Sequence, residues 1–271
     1  MKISIITACR NSAATLPVAV ESVSRQTHPD IEHLVIDGAS TDGTPALLAE
    51  CEKKSNGRMA WVSEPDRGMY DAINKGIEKA AGGVVGILNA DDAFSRRDVV
   101  SRVASAFAEN PSLDAVYGDV RFVKNVAGAS LDDVWAMKTV RWYSSRHWRP
   151  WMLQWGFMPP HPSVYIRGEC FKRLGGYALD YKIAADYALL IRFLRGARLR
   201  AAYLPMCFTD MRVGGVSTRG WRSNLLLNRE IVRGNREAGH FCCLPMLAPK
   251  YAFKVFEFVV PKTRGARPCV S

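Results

Sequence analysis

The feature that most constrains this chain is a unit repeated along its first hundred residues: a short apolar run, a polar or glycine-containing break, then a stretch with helical spacing. Ile3 to Ala8 is apolar and β-branched, Arg10-Asn11-Ser12 breaks it, and Ala13 to Gln26 carries apolar residues at helical intervals. His33 to Ile36 repeats the buried-strand pattern and stops at the polar run Asp37 to Gly43, after which Pro45 to Lys53 reads as a helix. Ala60 to Ser63, the loop Glu64 to Tyr70 and the helix Asp71 to Ala81 make a third cycle. Val84 to Leu88 opens a fourth and ends at Asn89-Ala90-Asp91-Asp92. Strands alternating with helices in this way predict an α/β domain: a doubly wound, mostly parallel sheet with helices on both faces. Such sheets bind ligands beyond the carboxyl ends of their strands, where Asn11, Asp37, Asp66 and Asn89 to Asp92 all fall.

Past residue 98 the pattern loosens. Val99 to Glu109 reads as a helix and Ala115 to Tyr117 as a strand, followed by a segment rich in Trp, Arg and Pro from Trp135 to Pro162. The expected organisation is one domain over 1–220, with a first half (1–98) holding one ligand and a second half (99–220) shaping the site of another. A helical, basic extension over 221–271 completes it. Its stretch from Tyr251 to Val260 is apolar and aromatic, with Lys250, Lys254 and Lys262 around it. That pattern suits a segment resting on anionic lipid, a dimer contact or an ordinary core helix.

Several residues carry candidate chemistry. Asp91 and Asp92, at a strand end, can hold Mg²⁺ or Mn²⁺ against the phosphates of a nucleotide diphosphate, or form a solvated turn. Asp37 sits where an acid meets a nucleoside in doubly wound folds, whereas Asp42-Gly43-Thr44 reads equally as a turn and helix cap. Neither a G-x-G-x-x-G fingerprint nor a G-x-x-x-x-G-K-[ST] loop follows the first strand, which argues against a dinucleotide cofactor and a P-loop kinase or ATPase. Asp186 opens a helix with the apolar stripe Leu189, Leu190, Phe193 and Leu194, as a cap or as a catalytic base at a rim. Trp142, Trp148, Trp151 and Trp155 alternate with Arg141, Arg146 and Arg149, which fits sugar platforms, a membrane-interface belt or packing. His161 lies in Pro159-Pro160-His161-Pro162, where proline would fix an imidazole against a cleft, and no histidine has zinc-site spacing.

Composition narrows the partners. Lys and Arg number 37 against 26 Asp and Glu, a formal charge of +11 that favours phosphate-bearing or anionic-membrane partners. No zinc-finger spacing or RNP-type aromatic string accompanies it, so nucleic acid is not expected. Seven cysteines without a C-x-x-C pair suit a reducing compartment. Met1-Lys2 enters a strand-like run at once, which argues against a signal peptide, and no run approaches the ~20 apolar residues of a spanning helix. The expected location is cytoplasmic, peripheral on the inner face of the membrane.

Taken together, the motifs resemble the family 2 glycosyltransferases of the GT-A fold, a Rossmann-like architecture, and in particular the bacterial branch of colanic-acid and O-antigen transferases. The resemblance runs through Ser4-Ile5-Ile6-Thr7-Ala8 with Asn11, Val35-Ile36-Asp37-Gly38 with Ser40 to Thr44, Glu64 to Ala72 with Asn74-Lys75-Gly76, and Leu88 to Asp92. It continues in His161-Pro162, Leu174-Gly175-Gly176-Tyr177 and Ala185-Asp186-Tyr187 with Leu189, Leu190 and Arg192, covering roughly residues 1 to 220. It implies that Thr7, Asn11 and Asp37 lie along the nucleoside of a nucleoside-diphosphate sugar, commonly a UDP-sugar. The loop from Asp66 through Gly68 to Tyr70 would close over the base or ribose. Asp91 and Asp92 would form the divalent-metal site, and Asn89, where many members have an acid, would be left for a hydrogen bond at the donor. Asp186 would be the base of a single inverting displacement, with Trp155, His161 and Tyr187 on the acceptor side. The acceptor implied is a saccharide, lipid-linked, as in bacterial surface or exopolysaccharide assembly. A nucleotide-sugar-binding scaffold and a nucleotidyltransferase are the alternatives. The scaffold predicts loss of the metal acids or the base, all of which are present, and the nucleotidyltransferase predicts a Gly-rich basic loop after the first strand, where Thr7 to Ala14 offers only Arg10.

Overall fold

The computed structural model of the chain describes residues 1–124, 126, 128–213 and 221–251. The apolar runs of the first hundred residues form β1 (Ile3–Cys9), β2 (Ile31–Asp37), β3 (Met59–Ser63) and β4 (Val84–Ile87). All are parallel, in the order β3-β2-β1-β4. β1 reads as nearly continuous apolar residues because a central parallel strand is covered on both faces. Ile3 and Ile5 pack with Ala19 and Val23 of α1 (Leu16–Ser24) and with Val103 and Phe107 of α4 (Val99–Glu109). Ile6 enters a second core with Ile73 of α3 (Met69–Lys79). The two-residue period of the strand thus places helices on both faces. Helix and strand approach closely here: a Cβ on Gly76 of α3 would lie 2.5 Å from the Ile6 side chain. Ile6 is wholly buried, and truncating it to alanine would cost about 2–5 kcal/mol.

Element ends differ from the periodicity for local reasons. α1 starts at Leu16 rather than Ala13 because the Asp42 carboxylate takes the Ala13 amide (3.2 Å) and the Ser12 carbonyl takes the amides of Thr15 and Leu16. Pro17 follows in the first turn, where no intrahelical partner is lost. α2 (Thr44–Lys54) begins one residue before the expected Pro45.

The chain beyond β4 continues the same sheet with β5 (Ala93–Phe94), β6 (Ala115–Val123), β7 (Arg141–Tyr143), β8 (Val164–Arg167) and β9 (Ala201–Arg212). β8 is antiparallel to both β4 and β6, β9 runs parallel to β6, and β5 pairs antiparallel with β9. The doubly wound α/β sheet is therefore as expected, with antiparallel pairs added beyond residue 98. β6 runs on past Tyr117 to Val123 because its far end pairs with β7 and β9, partners remote in sequence. Short helices α5 (Leu131–Ala136), α6 (Gly168–Leu174) and α7 (Ala185–Leu190) connect these strands, and α7 continues as a wide π-type turn over Ile191–Gly196. The long α8 (Trp221–Glu237) then packs on α7, and a 3₁₀ turn at Leu244–Leu247 follows. No helix among the described residues is long and apolar enough to cross a membrane. The apolar, basic tail, read as a lipid-resting segment, a dimer contact or a core helix, lies, past Tyr251, outside the described residues.

Candidate active site

At the carboxyl ends of the first strands, side chains of several loops converge on Asp37. This last residue of β2 is wholly buried, and its carboxylate accepts the Ser40 amide (3.0 Å), the Ser40 hydroxyl and the Ser63 hydroxyl (2.6 Å). Asn11 adopts a left-handed φ of 49°, donates its amide to Ser40 Oγ (2.7 Å) and accepts the Thr41 amide on Oδ1 (2.9 Å). The loops after β1 and β2 are thereby tied edge to edge. Asp42 accepts the amides of Thr44 (2.9 Å) and Ala13 (3.2 Å), which is the turn reading of that residue. Thr7 is placed differently from a nucleoside-facing residue: its side chain is buried in the sheet and shares a 3.0 Å hydrogen bond with His33 Nε2. Burial pushes His33 down to about 3, so this partner is neutral.

The loop after β3 folds over that after β2. Asp66 Oδ1 accepts the Gly68 amide at 2.8 Å, and a Cβ on Gly38 would sit 2.3 Å from Asp66 Oδ2, so only glycine admits this approach. Gly68 opens α3 at φ 120°, a conformation that glycine adopts without strain. Asp71 and Lys75 hold the loop from below, through the Arg67 amide (3.0 Å) and the Pro65 carbonyl (2.8 Å).

Beyond β4 the chain turns at Asn89–Asp92, where the Asp92 amide bonds the Asn89 carbonyl at 3.1 Å. Asp91 is partly exposed at the corner, whereas Asp92 is buried. Asp92 accepts Asn89 Nδ2 (2.8 Å) and the Arg212 backbone amide (3.2 Å). Burial, and then repulsion from Asp91, push the Asp92 carboxyl up to about 8. Asn89 is thus engaged with Asp92. Arg212 is itself buried, and its Nη2 has no partner among the described residues. No group of three or more His, Cys, Asp or Glu side chains among the described residues is arranged to hold a metal by itself. Two adjacent carboxylates, one of them accessible, nevertheless suit a Mg²⁺ or Mn²⁺ ion whose remaining ligands are phosphate oxygens and water.

The third group forms around Asp186. It does not cap its helix: the residue at the N-cap is Ala184, and no side chain of its own closes the turn there. Asp186 Oδ1 instead accepts the Tyr187 amide (2.8 Å) and lies 3.4 Å from the Tyr70 hydroxyl, whose nearer acceptor is the Ile183 carbonyl (2.8 Å). Burial raises the Asp186 carboxyl above the usual carboxylate range, against a counteracting pull from His161. His161 Nε2 and the Tyr177 hydroxyl share a 2.5 Å hydrogen bond, and the Tyr177 ring stacks on Tyr70 with centroids 5.5 Å apart. Burial also lowers the His161 pKa, so the imidazole beside the carboxylate favours its neutral form. Asn74 of α3 reads the Tyr177 backbone twice, donating to its carbonyl (2.8 Å) and accepting its amide (2.7 Å).

The structure therefore brings together Asn11, Asp37, Asp66 and Gly68 through touching loops, joins Asn89 to Asp92 with Asp91 beside them, and sets His161 beside Asp186. It does not offer every acceptor-side candidate. Tyr187 is only 2% exposed and belongs to the hydrophobic core under α7, so its ring is a packing element. Asp186 beside it is half-buried and points another way, because successive residues on a helix diverge by about 100°. Of the tryptophans, Trp148 is core, while Trp151 and Trp155 are 59% and 37% exposed on the 3₁₀ turn Pro150–Trp155. Sequence reasoning missed Arg212, which lies at the end of β9 with no local motif, and the bridging roles of Tyr70, Asn74 and Tyr177. Those three stood within recognised motifs but were not given these partners.

The glycosyl transferase family 2 model matches residues 4–169, and the chain belongs to that family. A mycobacterial PGL/p-HBAD biosynthesis glycosyltransferase (Mycobacterium tuberculosis) is 28% identical over 230 residues, 85% of this chain and 82% of the relative. An uncharacterized glycosyltransferase of the same organism is 33% identical over 194 residues, 70% of this chain and 68% of that protein. Among solved structures, Staphylococcus aureus TarS 1-349 in complex with UDP superposes with a TM-score of 0.63 at 17% identity, over 98% of this chain and 74% of the other. The mannosyltransferase PcManGT from Pyrobaculum calidifontis, in complex with GDP-Man and Mn²⁺, does so with 0.62 at 20% identity, over 98% and 76%. A longer TarS chain is matched over only 39% of its length. These likenesses show the fold, that of the GT-A glycosyltransferases.

Proposed function

We propose that this family 2 glycosyltransferase uses a nucleoside-diphosphate sugar, a UDP-sugar in the first instance, and transfers the sugar with inversion to a saccharide hydroxyl. The observation that carries the reading is the state of Asp186: its carboxyl is desolvated, lies beside the Tyr70 hydroxyl, and is hydrogen-bonded on Oδ1 alone among the described residues. A carboxylate so placed can take the proton of an attacking hydroxyl, and a lone base suits a single inverting displacement. His161, mainly neutral, lies beside it, and the Tyr70–Tyr177 stack fixes its surroundings. On the donor side, Asn11, Asp37 and the Asp66–Gly68 loop shape the nucleoside pocket. Thr7 supports that pocket from within the sheet through His33.

Asp91 is the side chain that reaches a divalent cation, Mg²⁺ or Mn²⁺, and Asp92, held by Asn89 and the Arg212 amide, orients it from behind. When bound, the cation neutralises charge on the departing diphosphate. Arg212, with a buried nitrogen still unpaired among the described residues, adds positive charge at the same place. A structure in complex with UDP and one in complex with GDP-Man and Mn²⁺, both of proteins with this fold, are consistent with that assignment.

The acceptor is a lipid-linked saccharide of bacterial surface or exopolysaccharide assembly, reached by a cytoplasmic enzyme at the inner membrane face, as in the colanic-acid and O-antigen branch. The net charge of +11 and the exposed aromatics Trp151, Trp155 and Phe241 support it. Calorimetric titration with UDP, GDP and dTDP, each with Mn²⁺ and with chelator, tests the donor assignment. Metal-dependent binding of one nucleotide is expected. No binding of any would reduce the chain to a transferase fold serving as a scaffold.

A further inference from the structure

The segment that carries Asp186 is held by an acid that belongs to none of the motifs above. Glu230 lies on α8, in the extension beyond residue 220, and is buried. Its carboxylate accepts three consecutive backbone amides: Lys182 on Oε1 (2.8 Å), Ile183 on Oε2 (2.9 Å) and Ala184 on Oε2 (2.8 Å). Ala184 is the N-cap residue of α7, so these amides belong to the run of backbone that leads into the helix, ahead of the first-turn donors that a capping side chain takes. Ala184 has no side chain to cap with, and the first-turn amide of Tyr187 goes to Asp186 Oδ1 (2.8 Å). The opposite edge of the segment is fixed from α3, where the Tyr70 hydroxyl donates to the Ile183 carbonyl at 2.8 Å. Peptide groups 182–184 are thus gripped on the N–H side by one helix and on the C=O side by another.

Resting on the reading of Asp186 as the base, we propose that Glu230 is a positioning residue for catalysis: from α8 it holds the three peptide N–H groups that lead into α7, which fixes the start of that helix and with it the aim of Asp186. A carboxylate is the suitable group, because an ionised acid with two acceptor oxygens meets three converging N–H groups without presenting a donor. Glutamine has nearly the same shape but turns an NH₂ toward at least one of those amides. Aspartate keeps the charge and both acceptors on a stem one methylene shorter.

The test uses the full chain and three variants: Glu230→Gln, Glu230→Asp, and Asn228→Ala as a control. Asn228 anchors the same helix to Lys250 and Tyr251 and does not touch residues 182–184 in the bonds above. Release of UDP from UDP-glucose and of GDP from GDP-mannose is followed with Mn²⁺, beside nucleotide affinity, melting temperature and amide hydrogen exchange over residues 181–187. For Glu230→Gln we expect a loss in kcat of about 10- to 100-fold, since a displacement near 1 Å at a reacting group costs that much. Nucleotide Kd should stay within about twofold and exchange at 182–187 should rise about tenfold or more. Glu230→Asp should retain more activity than Glu230→Gln, and Asn228→Ala should keep wild-type turnover. A packing role predicts the opposite order, because glutamine fills the space and aspartate does not. That order, or kcat for Glu230→Gln within about twofold of wild type, overturns the proposal. A wild type inert toward both donors, with exchange still faster in Glu230→Gln, sinks the transferase reading and with it the catalytic role while leaving the backbone anchor in place. Unchanged exchange removes the anchor, and with it the proposal, whatever the activity.

Discussion

The two carboxylate centres of this protein are built in contrasting ways. The Asp91–Asp92 pair sits in a four-residue turn directly after β4, with Asn89 as an immediate neighbour and one remote contact, the Arg212 amide. Asp186 depends on α3 through Tyr70, on the loop at Tyr177 and His161, and on α8 through the backbone just before it. A site at a strand end inherits its placement from the sheet, whereas one on a short helix must be held by bonds from distant elements. Damage should therefore spread differently: changes near Asp91 should alter donor binding, and changes around Asp186 should alter turnover while donor binding stands.

The largest effect is expected for Asp186→Asn, which should lower turnover by roughly 10²- to 10⁴-fold and leave nucleotide affinity unchanged. Stability should move the other way. The Asp186 carboxyl is raised by burial, so the stability of the native state is highest with the acid protonated and falls as pH rises toward and through the raised folded value. Asparagine removes that liability, so the variant should melt at or above the wild-type temperature at pH ~8, with the gap closing near pH ~4. Equal losses of stability and activity would break the contrast and make Asp186 a structural residue.

On the donor side, Asp91→Ala should abolish the Mn²⁺-dependent part of nucleotide binding. Asp92→Asn should weaken it by about tenfold, the usual order for a group that orients a ligand from behind. Calorimetry with and without chelator ranks the two. The reverse ranking would make the buried acid the metal ligand and demand that the turn open on binding.

What was legible in the sequence follows the same line. The four parallel strands, their helices and the polar strand ends could be read because each unit is local: a buried strand, a turn and an amphipathic helix within about thirty residues. The strand-end positions of Asn11, Asp37 and Asp91 were read this way. β8 inserted antiparallel between β4 and β6, and β6 extended to Val123, were not, because pairing between separated segments leaves no period in the chain. The resemblance supplied Asp186, which spacing alone ranked as a cap. Only the tertiary bonds show that the backbone leading into its helix is held from α8. Thr7 and Tyr187 were chosen for their place in motifs, and burial assigns the first hydroxyl to His33 and the second ring to the core.

An intermediate effect is expected at the joint between the two halves. Asn74→Ala deletes both bonds to the Tyr177 backbone and leaves a part-buried amide and carbonyl without their partner. The cost should be about 1–3 kcal/mol, a melting shift of roughly 2–4 °C for each kcal/mol in a chain of this size. Turnover should fall further than stability explains, since Tyr177 carries His161, while nucleotide binding in the first half should hold. If donor affinity falls in step with turnover, the halves are one cooperative site and the contrast above is too sharp.

The smallest effect is a shift in pH profile. His161 favours the ionised form of Asp186, so His161→Gln should raise the Asp186 pKa further and move the acid limb of kcat/KM to higher pH. The displacement should stay below about one pH unit, because burial lowers the His161 pKa and leaves little positive charge on the ring where the enzyme works. The Tyr177 hydroxyl, bonded to the same ring at 2.5 Å, would lose its partner as well, so Tyr177→Phe provides the matched control. A limb that moves with His161→Gln but not with Tyr177→Phe assigns the shift to charge. Equal movement in both assigns it to the loosened contact between His161 and the carboxylate, and a limb that moves to lower pH would remove Asp186 from the role of base.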